Sequence, residues 1–153
     1  MKKYEFTGET KEIRLLFRTA TLHRIRATVA FGIVEVGDLG GWIEKEENLS
    51  HEGKAWVWGN AEVWGNAKVF SASHVLVIGA IGSRNDFTTF YRDKDNEITV
   101  KCGCFLGKID RFLEKVTQTH GDSKYALVYR AAVEVAKLQI DLSGEVPKDA
   151  DEE

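Results

Sequence analysis

A six-residue repeat decides the predicted fold: the chain reads GKAWVW at 53–58, GNAEVW at 59–64 and GNAKVF at 65–70, with a degenerate copy, SASHVL, at 71–76. Such copies, with a small and a β-branched residue two apart and Gly-Asn between them, are typical of a parallel β-helix. Residues two apart share one face of a strand. The predicted inward residues are Ala55, Val57, Ala61, Val63, Ala67, Val69, Ser73 and Val75.

Aromatic side chains occupy the last position of the three clear copies. The same alternation places Trp58, Trp64 and Phe70 on the outside of the β-helix. Large rings on a solvent-facing row form a patch that monomers rarely expose, and a β-helix of little more than two turns leaves its end strands unpaired. The sequence therefore predicts a homo-oligomer. The alternative is that flanking segments of the same chain cover the rings.

The composition changes on both sides of the repeat, and we expect four segments. Residues 1–36 form a β-rich N-terminal segment, and residues 37–82 form the β-helix. Residues 83–142 form a second module, and residues 143–153 form an acidic tail that we expect to be disordered. The predicted fold class is mainly β with α: a short, left-handed-type parallel β-helix followed by a β-hairpin and two helices.

The second module has its own periodicity. Residues 87–91 and 98–102 alternate as two strands, and the polar residues 92–97 between them predict a hairpin. Two amphipathic helices follow, the first ending at His120-Gly121 and the second beginning at Asp122 or Ser123. The predicted apolar faces are Ile109, Phe112, Leu113 and Val116 in the first helix, and Tyr125, Val128, Tyr129, Ala132, Val135 and Ala136 in the second.

The bulk composition excludes several classes of protein. The chain has 153 residues, is 43% hydrophobic and has a formal net charge of −3, part of which lies in the acidic end. A body close to neutral argues against binding of long nucleic acids through a broad basic face. No apolar run is long enough to cross a membrane and no signal-peptide pattern is present, so we expect a cytoplasmic protein with its two cysteines as free thiols.

Two parts of the chain resemble known phage proteins. The motifs GGWIE at 40–44 and NLS at 48–50, with the Gly-Asn-Ala sextets, resemble hexapeptide-repeat proteins of bacteriophages and prophages over residues 20–80. The motifs IGSRND at 81–86 and CGCF at 102–105 resemble a small module of phage proteins. The predicted plan of a hairpin and two helices is similar to that of oligomeric phage proteins that sequester the nucleotide signals of bacterial immunity, such as cyclic ADP-ribose isomers in the Thoeris system. This second resemblance implies a homo-oligomer that captures a nucleotide.

The residues that follow the repeat suggest an anion-binding site. Capture of a phosphate or nucleotide needs arginine donors, backbone amides in a turn and an aromatic face on which a base can stack. The predicted ligand-binding residues are Arg84, Asn85, Asp86, Phe90 and Arg92. The alternative is a charged strand start in which Arg84 pairs with Asp86 and the aromatic rings lie in the core.

Catalytic and metal chemistry have weaker support. His74 occupies an outward position of its sextet and is the candidate general base for an acyltransferase, but an outward histidine is usually a surface side chain. Cys102, Cys104 and His120 could ligate zinc, although Cys-x-Cys without a matched second pair is a poor zinc motif. We therefore predict no catalytic residue, no metal and no cofactor.

The functional prediction is a non-enzymatic, homo-oligomeric phage protein that binds and sequesters a small anionic ligand, such as a nucleotide immune signal. Its expected partners are a second copy of itself and that ligand, with neither a membrane nor a long nucleic acid. The alternatives are an acyltransferase of the hexapeptide-repeat type and a structural protein that inhibits a host protein through its aromatic residues.

Overall fold

The computed structural model of the chain describes residues 2–15 and 17–144. Its strands are β1 (Tyr4–Arg14), β2 (Thr19–Ala27), β3 (Leu39–Ile43), β4 (Glu62–Val63), β5 (Val75–Ile81), β6 (Asp86–Arg92), β7 (Ile98–Cys102) and β8 (Phe105–Lys108). Its helices are α1 (Ile109–His120) and α2 (Lys124–Gln139), with short 3-10 turns at Glu46–Asn48 and Ala72–His74. The strands form two four-stranded sheets, β1-β2-β3-β4 and β5-β6-β7-β8, which are mostly antiparallel. The fold is therefore α+β and resembles a β-sandwich with two added helices.

The second sheet is the middle of three layers, because successive side chains of a strand point to opposite faces. Val75, Val77 and Tyr91 contact the core of the first sheet. Phe90 and Val100, on the other face, pack with the helices. Backbone bonds also join the first layer to the end of β6, where the N–H of Lys68 donates to the carbonyl of Arg92 at 2.9 Å. The helices thus cover only the outer face of the second sheet.

The predicted parallel β-helix is wrong. Parallel pairing does occur between β3 and β4, which align Trp42 with Glu62 and Ile43 with Val63, and an isolated parallel bridge joins Leu49 to Val69. However, β2 pairs with the other edge of β3 in the antiparallel direction, and β4 is only two residues long. No stack of successive sextet strands forms among the described residues, so the fold is not a β-helix.

The physical reason is that residues 57–61 cross over a pair of glycines instead of continuing as a coil. The N–H of Gly41 donates to the carbonyl of Val57 at 2.8 Å, and the N–H of Trp42 donates to the carbonyl of Ala61 at 3.0 Å. A Cβ added at Gly41 would overlap the carbonyl oxygen of Trp58. The close approach therefore depends on the missing side chain of Gly41.

The repeat does mark buried positions. The alanines and valines predicted to point inward are all buried: Ala55, Val57, Ala61, Val63, Ala67, Val69 and Val75. The predicted alternation is nevertheless wrong, because Trp56 and Lys68, at outward positions, are buried as well. Ser73 is only half-buried. The outward assignment is wrong for Trp64, which is fully buried beneath the guanidinium of Arg18, 4.7 Å from the ring centroid. Trp58 and Phe70 are exposed, so the three rings do not form one outer ridge.

The second module contains the predicted hairpin and both helices. β6 and β7 pair from Thr88 with Cys102 to Arg92 with Ile98, and α1 ends at Gly121, whose φ of 58° is left-handed. The apolar face predicted for α2 is partly wrong, because Tyr125 and Val135 are exposed. The predicted acidic tail lies, from residue 145 onward, outside the described residues. None of the helices in the described part of the chain could cross a membrane.

Candidate ligand-binding cavity

A cavity of about 220 Å³ lies between the second sheet and the helices, at the end of the layer where β6 begins. We call it the end cavity. Two turns and two helices form it: the turn between β5 and β6, the turn between β7 and β8, and one face each of α1 and α2. Its polar lining residues are Ser83, Arg84, Asp86, Thr88, Cys102, Cys104, Lys115, Thr119, His120 and Tyr129, and its apolar lining residues are Ile81, Phe105, Phe112 and Val116.

The turn between β5 and β6 places Arg84 at the cavity. The N–H of Asn85 donates to the carbonyl of Gly82 at 3.1 Å, and both residues have positive φ, 52° at Asn85 and 80° at Gly82. A Cβ at Gly82 would overlap the hydroxyl of Tyr129. Glycine is therefore required here both by the backbone and by the close approach of α2.

The turn between β7 and β8 forms the opposite wall. Cys102 pairs with Phe105, so Gly103 and Cys104 are the two residues of the connection, and Gly103 has a φ of 58°. A Cβ at Gly103 would lie 3.4 Å from a guanidinium nitrogen of Arg84. The Arg84 side chain thus extends from one turn to the other across the cavity.

One face of each helix completes the cavity. In α1, Phe112, Val116 and Thr119 follow helical spacing along that face, and Lys115 lies beside them. In α2, Tyr129 packs edge-on against Phe112, with ring centroids 5.7 Å apart. His120 stacks on Tyr129 at the same centroid distance. The inner end of the cavity is therefore aromatic, whereas its outer part carries the charges.

The two cations of the cavity are not neutralised. Among the described residues, neither Arg84 nor Lys115 forms an ion pair with a carboxylate. The single carboxylate in the lining, Asp86, accepts a hydrogen bond from the N–H of Phe87 at 2.7 Å. The alternative reading of Arg84 as the ion-pair partner of Asp86 therefore has no support in the structure. A site with two free cations and one carboxylate favours an anionic ligand.

Tyr129 supplies a neutral hydroxyl at the inner end. Burial raises the pKa of Tyr129, as does the neighbouring thiol of Cys102, whereas the backbone amide of Ser83 and the charge of Arg84 act in the opposite direction. Thr88 donates to the Cys102 sulfur at 3.4 Å. The phenol therefore stays protonated near neutral pH and can donate to a ligand or accept from one.

The five predicted ligand-binding residues do not converge on one place. Arg84 and Asp86 line the end cavity, whereas Asn85 is exposed in the same turn and does not line it. Phe90 is buried against Phe112, with centroids 6.5 Å apart. Arg92 lies at the far end of β6, about 20 Å from Asp86 by the rise of an extended strand.

Arg92 has a structural environment. Its side chain is buried, its Nε donates to the carbonyl of Lys68 at 3.0 Å, and its guanidinium lies 5.1 Å from the centroid of Phe70. Burial lowers the pKa of Arg92, while Asp141 has the opposite effect. These contacts connect the two sheets, and they place Arg92 outside the end cavity.

Sequence reasoning missed most of the cavity. Lys115, Thr119 and Tyr129 come from the helices, more than twenty residues after the turn that supplies Arg84. A helical-face argument could have found them, because they lie beside the apolar positions 112, 116 and 129. The sequence does not show which end of the second sheet these helix faces approach, because tertiary packing determines it.

Two other chemical hypotheses can be compared with the geometry. Cys102, Cys104 and His120 all line the end cavity, but no group of three or more His, Cys, Asp or Glu residues in the described part of the chain could hold a metal ion. The outward position predicted for His74 is wrong: its side chain is buried, and its Nδ1 accepts from the N–H groups of Phe70 and Ser71 at 3.0 and 3.1 Å. An acyltransferase would thus lack both its β-helix and its exposed base.

Comparison with known proteins adds no family to this picture. Neither the protein-family models nor the curated proteins contain a match to the chain.

Proposed function

We propose that this protein is a non-enzymatic binding protein that captures a small phosphorylated ligand, of the nucleotide class, in the end cavity. The observation that carries the proposal is the pair of cations without carboxylate partners, Arg84 and Lys115, beside an aromatic inner wall. Cations bind a phosphate through charge-assisted hydrogen bonds, and an aromatic wall accepts a planar ring.

The chemistry of the lining favours binding over catalysis. The raised pKa of Tyr129 keeps its hydroxyl protonated near neutral pH, so it does not supply a base there. Among the described lining residues, no second carboxylate shares acid and base roles with Asp86. The hydroxyls of Ser83, Thr88 and Thr119 are suited to hydrogen bonding with a sugar or phosphate. These groups can hold a ligand without changing it.

The size of the end cavity restricts the ligand. Its volume of about 220 Å³ is below the roughly 300–1,000 Å³ of sites that enclose drug-sized molecules. We therefore expect a single phosphorylated ring compound to be enclosed, with part of any larger ligand remaining outside. Sequestration of a nucleotide immune signal by a phage protein in the bacterial cytosol is the specific form of the proposal that the sequence resemblance implies.

The test is calorimetric titration with adenosine monophosphate, adenosine and inorganic phosphate. We expect the monophosphate to bind more tightly than either fragment, and Arg84→Ala to weaken it roughly 10–150-fold, which corresponds to about 1.5–3 kcal/mol for a hydrogen bond to a charged group. Arg84→Lys should recover part of this loss, since lysine keeps the charge without the bidentate geometry.

Arg111→Ala is the matched control, because Arg111 is an exposed arginine of α1 that does not line the end cavity. It should bind as the wild type does. Equal affinity of wild type and Arg84→Ala would remove the end cavity as the site, and no binding by any phosphorylated ring compound would refute the proposed function.

A further inference from the structure

The outer face of α2 carries an apolar stripe that nothing in the described chain covers. The stripe consists of Leu127, Ala131, Val135 and Leu138, which follow the i, i+4, i+8, i+11 spacing of one helix face. Leu138 is 88% exposed, Leu127 60% and Val135 47%. Ala131 is exposed between them.

The opposite face of the same helix is also apolar. Ala126, Tyr129, Ala132, Val133 and Ala136 are buried against α1 and the second sheet. A surface helix normally has one apolar stripe and one polar face, whereas a helix that is apolar on two faces is usually buried on both. We therefore expect the α2 stripe to pack against a second surface.

We infer that the partner is a second copy of this chain, with the two α2 helices packed antiparallel across a two-fold axis near Ala131. A two-fold interface requires a surface that is complementary to itself. About an axis at the level of residue 132, next to Ala131, Leu127 of each copy lies between the levels of Val135 and Leu138 of the other. The small side chain of Ala131 lies at the crossing point, where it lets the helices approach closely.

The charges beside the stripe support this arrangement. Arg130 and Glu134 lie on the same flank of α2, one on either side of the axis in sequence. In an antiparallel pair, Arg130 of one copy therefore faces Glu134 of the other, and the two-fold axis makes this contact twice. In a parallel two-fold pair the same flank of the two helices lies on opposite sides of the interface, so Arg130 and Glu134 would not face each other, and the charge pattern selects the antiparallel pair.

Within one chain, the charged side chains of Arg130 and Glu134 contact only neighbouring residues. Glu134 contacts Lys137 at 3.8 Å, and Arg130 contacts Asp122 at 3.9 Å. Arg130 also donates to the carbonyl of Gly121 at 3.0 Å. Glu134 is thus the better residue to change first, since its substitution leaves the connection between the helices intact.

This interface leaves the proposed site open and replaces the predicted aromatic one. Tyr129 faces the end cavity from the buried side of α2, so a second copy on the stripe does not cover it. The predicted association through Trp58, Trp64 and Phe70 lacks a continuous patch, because Trp64 is buried. The inference does not depend on the proposed function.

The experiment is measurement of molar mass by sedimentation equilibrium over a range of protein concentrations. The wild type should reach twice the mass of the chain, and the double variant Leu127→Glu with Leu138→Glu should remain at the single-chain mass with unchanged helical circular dichroism. Ile33→Glu, which adds the same charge at an 83% exposed residue outside α2, is the control and should still dimerise.

A charge exchange tests the antiparallel register. Glu134→Arg places two arginines against each other and should weaken the dimer roughly tenfold, given the small worth of single exposed pairs. Adding Arg130→Glu should restore most of the affinity, although each change alone weakens it. A wild-type monomer at millimolar concentration would overturn the inference, as would a dimer that the stripe variants leave intact. Failure of the exchange to restore association, in a variant whose helical circular dichroism matches that of the wild type, would overturn the antiparallel register.

Discussion

The first sheet and the second module reach a folded state by different means. In the second module the backbone groups mostly pair in β-ladders and helices, and long segments keep one periodicity. In the loops of the first layer, buried polar side chains form the hydrogen bonds with the backbone groups. Asn48 alone accepts from the N–H groups of Glu44 and Lys45 and donates to the carbonyl of Ala67.

Other side chains of the first layer act in the same way. The hydroxyl of Tyr4 donates to the carbonyl of Leu49 at 2.7 Å, and the ammonium of Lys3 donates to the carbonyl of Ala55 at 2.6 Å. Both are buried, and burial raises the pKa of Tyr4 and lowers that of Lys3 to about 8. Individual polar residues thus specify the loops that regular hydrogen bonding leaves unspecified. Substitutions in the two regions should separate these two kinds of stabilisation.

The largest expected effect is at Trp64. Truncation to alanine should lower the free energy of unfolding by about 3–5 kcal/mol, as for other buried aromatic residues, because Trp64 is fully buried under Arg18. Trp58, the equivalent residue of the previous sextet, is 46% exposed and is the matched control, for which we expect a much smaller loss. Urea denaturation measures both. Equal losses would mean that the sextet, and not burial, sets the contribution of these rings.

Asn48 should show the next largest effect. Asn48→Ala leaves two part-buried N–H groups and a buried carbonyl without their partner, and we expect a loss of about 2–3 kcal/mol. Asn60 is exposed and its side chain forms no hydrogen bond with the described residues, so Asn60→Ala should change stability by less than about 0.5 kcal/mol. A neutral Asn48→Ala variant would contradict the view that polar side chains specify the first layer.

These two residues also show what the sequence could reveal about the fold. The spacing of alanine and valine identified the small apolar side chains of the repeat that are buried, but it did not identify the buried Trp56 and Trp64. It could not distinguish a coil of stacked strands from turns that pack over Gly41, since both bury the same residues. That distinction depends on hydrogen bonds made by Asn48 and on the missing side chain of Gly41, which no periodicity records.

The second module was more predictable because its elements are regular. The hairpin and α1 follow from alternation, helical spacing and the stop at Gly121. The candidate site was predictable only where it is local: Arg84 and Asp86 lie within one turn, whereas Lys115 and Tyr129 reach the end cavity through the packing of two helices. Phe90 and Arg92 follow Arg84 closely in sequence, yet the straight strand β6 carries them away from it.

A pH-dependent loss of stability should come from two imidazoles, the buried His74 and the half-buried His51. His74 accepts two backbone N–H groups at Nδ1, and His51 accepts the N–H of Lys3 at Nδ1, so both must be neutral in this arrangement. Burial lowers the pKa of both side chains. The unfolded chain therefore binds more protons than the folded one below an ordinary histidine pKa of about 6.5, and stability falls as the pH decreases through that range.

Urea denaturation between neutral and mildly acidic pH measures this effect. His74→Asn keeps an acceptor near the same backbone groups but does not titrate, so this variant should lose less stability on acidification than the wild type. His120 lies in the end cavity and does not accept a backbone N–H group, which makes His120→Asn a suitable comparison. An unchanged pH dependence in His74→Asn would show that the imidazole does not couple protonation to folding.

The smallest effect should come from a salt bridge on the first sheet, which can be compared with a buried salt bridge in the second module. Arg26 and Glu5 approach to 2.6 Å on neighbouring strands, but both side chains are about half exposed. Exposed pairs of this kind contribute about 0–1 kcal/mol, and salt reduces the contribution.

In the second module, Lys108 contacts Asp93 at 2.7 Å, and this carboxylate is fully buried and also accepts from the Thr99 hydroxyl. Double-mutant cycles should therefore give a larger, less salt-sensitive coupling energy for Asp93 with Lys108 than for Glu5 with Arg26. Equal coupling energies would mean that burial of the carboxylate does not decide the strength of these pairs.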